Sequence, residues 1–342
     1  MSLSQIQHIL SSVAEIIPME KLIFSKRHRF IFPFWHVVSD IPPTHLSQLY
    51  RVPSTSDFVR DLDFFQKNFT PASVGQVVDF INDKNSRSGK YFFPTFDDGL
   101  SECFYQIAPI LKEKGICAAF FINPEFVDNK MLFHRHKASL ILNRLSSGRI
   151  NHATRTEAEL VIHQKDTNKS LEQFLHQSSF SDHVLLDRLA TIFEIDFGEF
   201  LAQKKPYMTL DQIKQLQADG FLIGAHSMSH PEFFNATEDE MSDQIISSLK
   251  FLINEIHPTI KSFAFPFTDF RVPDSVFDTI HQSGLCDLSF GTAGIKDDRW
   301  RNHVQRIPME SFDFKDARQL IRTEYLSYLL KIAVRKNKVR RQ

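Results

Sequence analysis

The sequence predicts an α/β protein, and three observations carry that expectation. Short aromatic or apolar runs alternate with amphipathic helical patterns along the chain. One run, Tyr91-Phe92-Phe93-Pro94-Thr95-Phe96, ends in Asp97-Asp98-Gly99 just ahead of a helical pattern from Ser101. Another, Gly220-Phe221-Leu222-Ile223, leads through Gly224-Ala225 into His226-Ser227-Met228-Ser229-His230. Buried parallel strands that exit into polar residues are how α/β proteins present chemistry at the carboxyl edge of a sheet.

Length and composition agree. A chain of 342 residues, 42% of them hydrophobic, suits one barrel-like domain with an insertion. The 40 basic and 41 acidic residues leave a net charge of -1, so no global field recruits nucleic acid or a membrane. Cys103, Cys117 and Cys286 are an odd number without metal-ligand spacing, which fits a reducing compartment better than a disulfide framework.

Residues 1–26 carry Leu3, Ile6, Leu10, Val13 and Ile17 at helical spacing, an amphipathic helix expected to pack on the domain. The segment lacks a basic leader and an uninterrupted apolar core, and no run is long enough to span a bilayer, so a cytoplasmic location is expected. Arg29 to Val38 has the pattern of a strand ending near His36. From Ser56 to Asp83 the pattern is helical, with one stripe of Phe58, Leu62, Phe65 and Phe69 and another of Val74, Val77, Val78 and Ile81. Ser101 to Gly115 forms the helix after the acidic strand end, with Gly115 as its cap.

Residues 124–203 alternate polar residues with Leu and Ile at helical spacing and show no strand signal, which predicts a helical insertion beside the loop face. Its histidines, His134, His136, His152, His163, His176 and His183, have no matched acidic set and are expected on the surface or in packing. Glu238 to Ile256 is amphipathic again, and Ser262 to Phe267 is expected to form a strand and turn. Within 331–342, Lys331, Arg335, Lys336, Lys338, Arg340 and Arg341 accompany little that could be buried. A solvated, frayed segment is the simpler expectation. Attraction to anionic lipid headgroups is the sharper one, at roughly 1 kcal/mol per charge.

The two polar strand ends carry the chemistry. Neighbouring side chains on an extended chain point opposite ways, so Asp97 and Asp98 are expected to divide two tasks, proton handling and metal binding. On its own an Asp-Asp-Gly is more often a helix cap and turn. Two histidines four apart can turn to a common point, and with one carboxylate they make an open two-His, one-carboxylate site of the catalytic kind. In a chain with 15 histidines that spacing alone is weak; joined to the acidic strand end it is not.

Thr95-Phe96-Asp97-Asp98-Gly99 and His226-Ser227-Met228-Ser229-His230 resemble the first two motifs of the polysaccharide deacetylase family, the NodB-homology carbohydrate esterases. Ala118-Ala119-Phe120-Phe121-Ile122 and Met208-Thr209-Leu210-Asp211-Gln212-Ile213 resemble the flanking strand and helix start, and Ser262-Phe263-Ala264-Phe265-Pro266-Phe267 the third motif. The resemblance runs from about Phe30 to about Pro308 and implies an irregular (β/α)7-type barrel, occupying 27–330 and interrupted by the insertion. It implies a divalent metal, zinc by ligand type, held by Asp98, His226 and His230, and Asp97 as the base. The backbone N–H of Phe267 is implied as an oxyanion donor.

Trp35-His36-Val37-Val38-Ser39-Asp40 resembles an element at the front of a circularly permuted subgroup, which makes His36 the general acid. Two departures stand out: Ala264 where the motif often carries an arginine that orients the base, and Thr268 where it often carries glycine. Arg306, in Gln305-Arg306-Ile307-Pro308, matches an arginine often seen near the end of such domains and is the candidate substitute, a surface ion pair being the plain alternative.

The implied activity is removal of N-acetyl groups from amino sugars of an oligo- or polysaccharide. Two rivals stand beside it. One is a deformylase or deacylase of a lipid-linked sugar, and the other a glycan-binding module without catalysis.

Overall fold

The computed structural model describes residues 3–23, 30–82, 89–148, 150–311 and 313–341. Its centre is a parallel sheet of eight strands rolled into a nearly closed barrel with helices outside. In chain order the strands are β1 (Phe30–Ile31), β2 (Pro33–Trp35), β3 (Thr70–Pro71), β4 (Tyr91–Phe92), β5 (Thr95–Phe96) and β6 (Ala119–Ile122). They continue with β7 (Leu222–Ala225), β8 (Ser262–Ala264), β9 (Leu288–Gly291), β10 (His303–Gln305) and β11 (Ile307–Pro308). The barrel order is β10-β9-β8-β7-β6-β5-β2-β11, and β1-β4-β3 form a small parallel sheet at the amino ends.

β10 and β11 flank a single residue, Arg306. β10 pairs with β9 (Gln305 opposite Gly291), and β11 pairs with β2 (Ile307 opposite Pro33). Residues 303–308 are therefore the closing stave, and counted as one segment they bring the barrel to about seven, as the family resemblance implies. The Arg306 N–H donates to Gly291 O (3.1 Å) and that of Ile307 to Phe32 O (2.9 Å), so the seam passes through Arg306 itself.

Alternation along β6 divides inside from outside. Phe120 and Ile122 join the cluster under the helices with Trp35, Phe96 and Ile223, whereas Phe121 joins Phe32, Phe93, Ala264 and Phe290. Phe121 and Phe290 lie 5.1 Å apart and Phe32 and Phe290 5.8 Å. Gly224 is required here: a Cβ on it would stand 2.4 Å from the Phe121 ring and 2.5 Å from Ser262 Oγ.

The outer elements follow the periodicity with three differences. The pattern over 56–83 resolves into two helices, Thr55–Asn68 and Val74–Ile81, because Thr70–Pro71 pairs with β4 and interrupts it; Asp83 lies outside the described residues. Helix Leu3–Ile16 packs on helix Ala317–Ala333 through Ser11 and Ala14, while Val13 is exposed, so its buried face is turned by one residue. Small side chains allow the close approach in which Arg322 donates to Ala14 O (3.0 Å). The 26/27 boundary lies outside the described residues. Third, the described part of the basic segment, 331–341, is not a frayed tail. Helix Ala317–Ala333 runs into it, Val339 N–H donates to Asp297 O (2.8 Å), and the Arg341 side chain is 2% exposed. The expectation failed because the acidic partners that bury Arg341 lie far away in sequence.

Residues 124–203 contain helices His134–Ser146, His152–His163, Leu171–Gln177, His183–Ile192 and Phe197–Lys204, with an apolar cluster of their own around Ile141, Ile162, Phe174 and Leu189. A second cluster, with Val37, Leu100, Phe133 and Tyr207, joins them to the barrel. Among the described residues no helix is long and apolar enough to cross a membrane.

Candidate active site

The carboxyl edge of β5 delivers Asp97 and Asp98, and that of β7 delivers His226 and His230. Asp97 N–H continues the ladder to Trp35 O (3.0 Å) and His226 N–H to Ile122 O (2.8 Å), so both residues are fixed by the sheet. Beyond them the chain turns sharply. Asp98 (φ 69°), Gly99 (φ 64°), Ser227 (φ 63°) and His230 (φ 58°) all occupy the left-handed region. Three of these four are not glycine, and such strain persists only where the surroundings enforce it. Met208 N–H to Gly99 O (2.9 Å) and His230 N–H to Ser227 Oγ (3.1 Å) supply part of that enforcement.

Asp98, His226 and His230 converge. His230 Nε2 is 3.2 Å from Asp98 Oδ1, His226 Nε2 is 3.6 Å from the same oxygen, and the two nitrogens are 3.1 Å apart. His226 Nδ1 lies 2.8 Å from Ala264 O, so that ring nitrogen is the donor and Nε2 turns a lone pair to the centre. Asp98 Oδ1 is buried and makes no hydrogen bond of acceptable geometry with any described residue, despite its closeness to His230. A buried oxygen without a donor, facing two imidazole nitrogens, is the donor set a divalent cation completes. The residues fit the implied metal. Their protonation fits too. Burial, and after it His230, holds His226 down at about 4, so it is neutral; burial would raise the Asp98 carboxyl, but His230 together with His36 and His226 keeps it well below its ordinary range.

Asp97 faces the other way. Both its oxygens receive the Arg306 guanidinium, Nη1 at 2.6 Å and Nη2 at 2.8 Å, with Nη1 also 3.2 Å from Thr95 Oγ1. Arg306 is fully buried, its Nε donates to Gly291 O (3.2 Å), and its guanidinium lies over Phe34 (4.5 Å) and Phe121 (5.4 Å). Two of the rings it lies near, Phe121 and Phe290, belong to the same apolar cluster as Ala264, and it is not a surface ion pair. Burial alone would raise the Asp97 carboxyl, but Arg306, then His226, hold it below its ordinary value. Oδ2 of Asp97 remains 3.7 Å from His226 Nε2.

His36 follows β2. Its Nδ1 contacts Glu310 Oε2, while Glu310 Oε1 accepts the N–H groups of His36 (2.8 Å) and Val37 (3.0 Å). The ring stacks on Tyr50 at 4.9 Å and keeps a quarter of its side chain exposed. Burial would lower its pKa, but Glu310, followed by Asp98 and Asp97, raises it to about 9. Phe267 (φ 53°) sits on the turn after β8 with its ring 4.7 Å from that of His230.

Several residues at the site have no sequence signal. Glu310 is a lone acid after β11, and Tyr50 lies in a loop. Phe133, from the insertion, packs its ring 4.5 Å from that of His230. His134 and His136 are buried, and His134 does have an acidic partner, Glu232 at 2.9 Å, which its neighbours in sequence do not reveal. The other four insertion histidines are exposed.

The polysaccharide deacetylase family model matches residues 84–285. The chain belongs to the polysaccharide deacetylase family. It is accordingly a hydrolase acting on carbon–nitrogen bonds other than peptide bonds. Among solved structures it is similar to the Streptococcus pyogenes deacetylase PplD in complex with acetate (13% identity, 86% of this chain and 97% of that one, TM-score 0.54). It is also similar to IcaB from Ammonifex degensii (15%, 87% and 97%, TM-score 0.52) and to a polysaccharide deacetylase from Bacillus cereus (12%, 86% and 68%, TM-score 0.50). At these identities the likeness shows the fold. No curated protein matches the sequence significantly.

Proposed function

We propose that this hydrolase removes N-acetyl groups from amino sugars of an oligo- or polysaccharide, with a divalent ion, zinc by its ligand types, held by Asp98, His226 and His230. The observation that carries the reading is the convergence of these three on one point, with the unpartnered Asp98 Oδ1 among them, beside a second carboxylate clamped by a buried arginine. When bound, such an ion supplies Lewis-acid polarisation of an amide carbonyl and lowers the pKa of a coordinated water.

The chain's own groups divide the remaining work. Asp97, kept ionised and oriented by Arg306, takes the proton of the attacking water. The Phe267 N–H donates to the carbonyl oxygen as it gains negative charge; a backbone donor is indifferent to the side chain at that position. His36, held as an imidazolium by Glu310, gives its proton to the sugar nitrogen, which is a poor leaving group until protonated. His36 comes before the first motif, as in the circularly permuted subgroup. The insertion contributes Phe133 against His230 and so is suited to one wall of the glycan groove. A separate insertion over 124–203 and a basic segment from 331 are the domain division this reading uses.

Acetate release from a panel of N-acetylated oligosaccharides, with and without chelator, tests the reading. Release should require metal, and Asp97→Asn should lower kcat by about 10²–10⁴-fold with the ion retained. Chelator-insensitive release, or full activity in Asp97→Asn, would overturn it. Metal-free protein that binds glycan without turnover would favour the binding module, and formate release from formylated sugars the deformylase.

A further inference from the structure

A second buried arginine lies about the barrel's closing stave, and the reaction outlined above does not use it. Arg341 Nη2 is 2.5 Å from Asp269 Oδ2 and 2.7 Å from Asp298 Oδ2, and its Nη1 is 2.8 Å from Asp298 Oδ1. Its guanidinium covers the Phe277 ring at 4.1 Å. Gln305 Nε2 bridges the same two acids, at 2.9 Å from Asp269 and 3.0 Å from Asp298, and His303 Nε2 is 3.1 Å from Asp269. The arginine is led there by a strap. Asp297 N–H donates to Asn337 O (3.0 Å), Val339 N–H to Asp297 O (2.8 Å), and Asp297 forms a parallel bridge with Lys338.

Asp269 is two residues after Phe267, on the turn that presents the Phe267 N–H. Its Oδ1 accepts from Thr292 N (3.3 Å), and Thr292 Oγ1 in turn donates to Phe267 O (3.1 Å). Phe267 itself holds a left-handed φ of 53°, a conformation that a phenylalanine keeps only when its neighbours impose it. On its other side the network joins β10, whose next residue is Arg306. Without a cation, Asp269 and Asp298 would face each other across Gln305 in a buried site, and like charges so placed separate.

We propose that Arg341 is a positioning residue: the strap 337–341 seats its guanidinium between Asp269 and Asp298, and this cation sets the Pro266–Phe270 turn so that the Phe267 N–H points at the reacting carbonyl. The role rests on the deacetylase reading for its catalytic consequence, but the seating of the turn does not. A lysine would restore the charge without the fork that spans two carboxylates.

The experiment uses the full zinc-loaded chain, N-acetylated chitopentaose as probe, and hydrogen exchange resolved to residues 267–270. Arg341→Ala should speed exchange at these amides. It should also lower kcat by about ten- to a hundredfold, the scale of a misplaced catalytic group, with KM and bound zinc unchanged. Methylguanidinium should recover part of the loss in Arg341→Ala and none in Arg341→Lys, which should fall between the two. Unchanged exchange at 267–270 overturns the seating. Faster exchange with unchanged kcat overturns the positioning role and leaves a purely structural strap. If the unaltered protein releases no acetate, the deacetylase reading fails on that probe while the exchange measurement still decides the seating. Should Arg341→Ala not fold, Arg341→Lys carries the same two readouts.

Discussion

Arg306 and Arg341 are two answers to one problem, a guanidinium buried against carboxylates and laid over aromatic rings. Arg306 meets one aspartate with both arms and is carried there by a barrel strand. Arg341 meets two aspartates and is carried by a strap that pairs with the β9–β10 loop at one bridge. The first sits inside the stave that closes the barrel, so it can leave only by unfolding. The second can leave by local opening, because few ladder bonds hold its strap. Burial of charge is tolerable because Arg306 finds an acceptor for each of its three nitrogens and Arg341 for both of its terminal ones, its buried Nε having none among the described residues, and the planar fork makes such pairing economical in side-chain order.

The sharpest way to break the comparison is to remove the cation that cannot move. Arg306→Ala leaves Asp97 buried without its partner and should destabilise the fold by about 3–5 kcal/mol in denaturant titration, the usual cost of orphaning one member of a buried pair. Burial would then push the Asp97 carboxyl up, so any remaining activity should show its acid limb at higher pH than the unaltered protein. A loss below about 1 kcal/mol would place the pair with surface bridges. Arg306→Met, which keeps volume and removes charge, separates packing from pairing.

A smaller effect is expected at His36, where the cation is a histidine. Its folded pKa, raised to about 9, makes its pairing stability fully present below its ordinary value of 6.5 and lost as pH rises through about 9. The groups facing it are Glu310, Asp98, Asp97 and Tyr50. Glu310→Gln removes the strongest of the raising charges and leaves burial unopposed by it. The alkaline limb of kcat, where the general acid deprotonates, should therefore move to lower pH, with activity at acid pH least affected. An alkaline limb that stays in place would show that His36 does not supply the proton.

What could be read from the sequence follows the same division. Asp97, Asp98, His226 and His230 were legible because each pair is local and sits just after an apolar run, so strand exit and spacing speak together. Arg306 was half-legible: the resemblance offered it as the arginine that orients Asp97, but nothing near it in sequence told that pairing from a surface ion pair, because Asp97 lies 209 residues earlier. Glu310 and Phe133 could not be read, since a lone acid and a lone aromatic announce nothing until the fold brings His36 and His230 to them. Arg341 was misread for a physical reason. A run of basic residues with little apolar company is solvated by default, and only tertiary acids, 72 and 43 positions away, reverse that default. The left-handed backbone at Asp98, His230 and Phe267 likewise has no signature in non-glycine residues.

A third arginine, on the insertion, sets the lower bound of the comparison. Arg155 Nη2 donates to both oxygens of Glu172 at 2.8 and 3.0 Å and its Nε to Glu159 at 3.0 Å, three contacts to carboxylates at distances like those of Arg306. Its side chain is nevertheless 43% exposed, with Glu172 at 40% and Glu159 at 36%. Water and salt screen such a group, and holding three long side chains costs entropy that offsets the attraction. A double-mutant cycle between Arg155→Ala and Glu172→Ala should give a coupling of about 0.2–1 kcal/mol that shrinks with added salt, and acetate release should not change. A coupling as large as that at Arg306 would mean that geometry, not burial, decides what these arginines contribute, and the contrast between the barrel and the insertion would fail at that point.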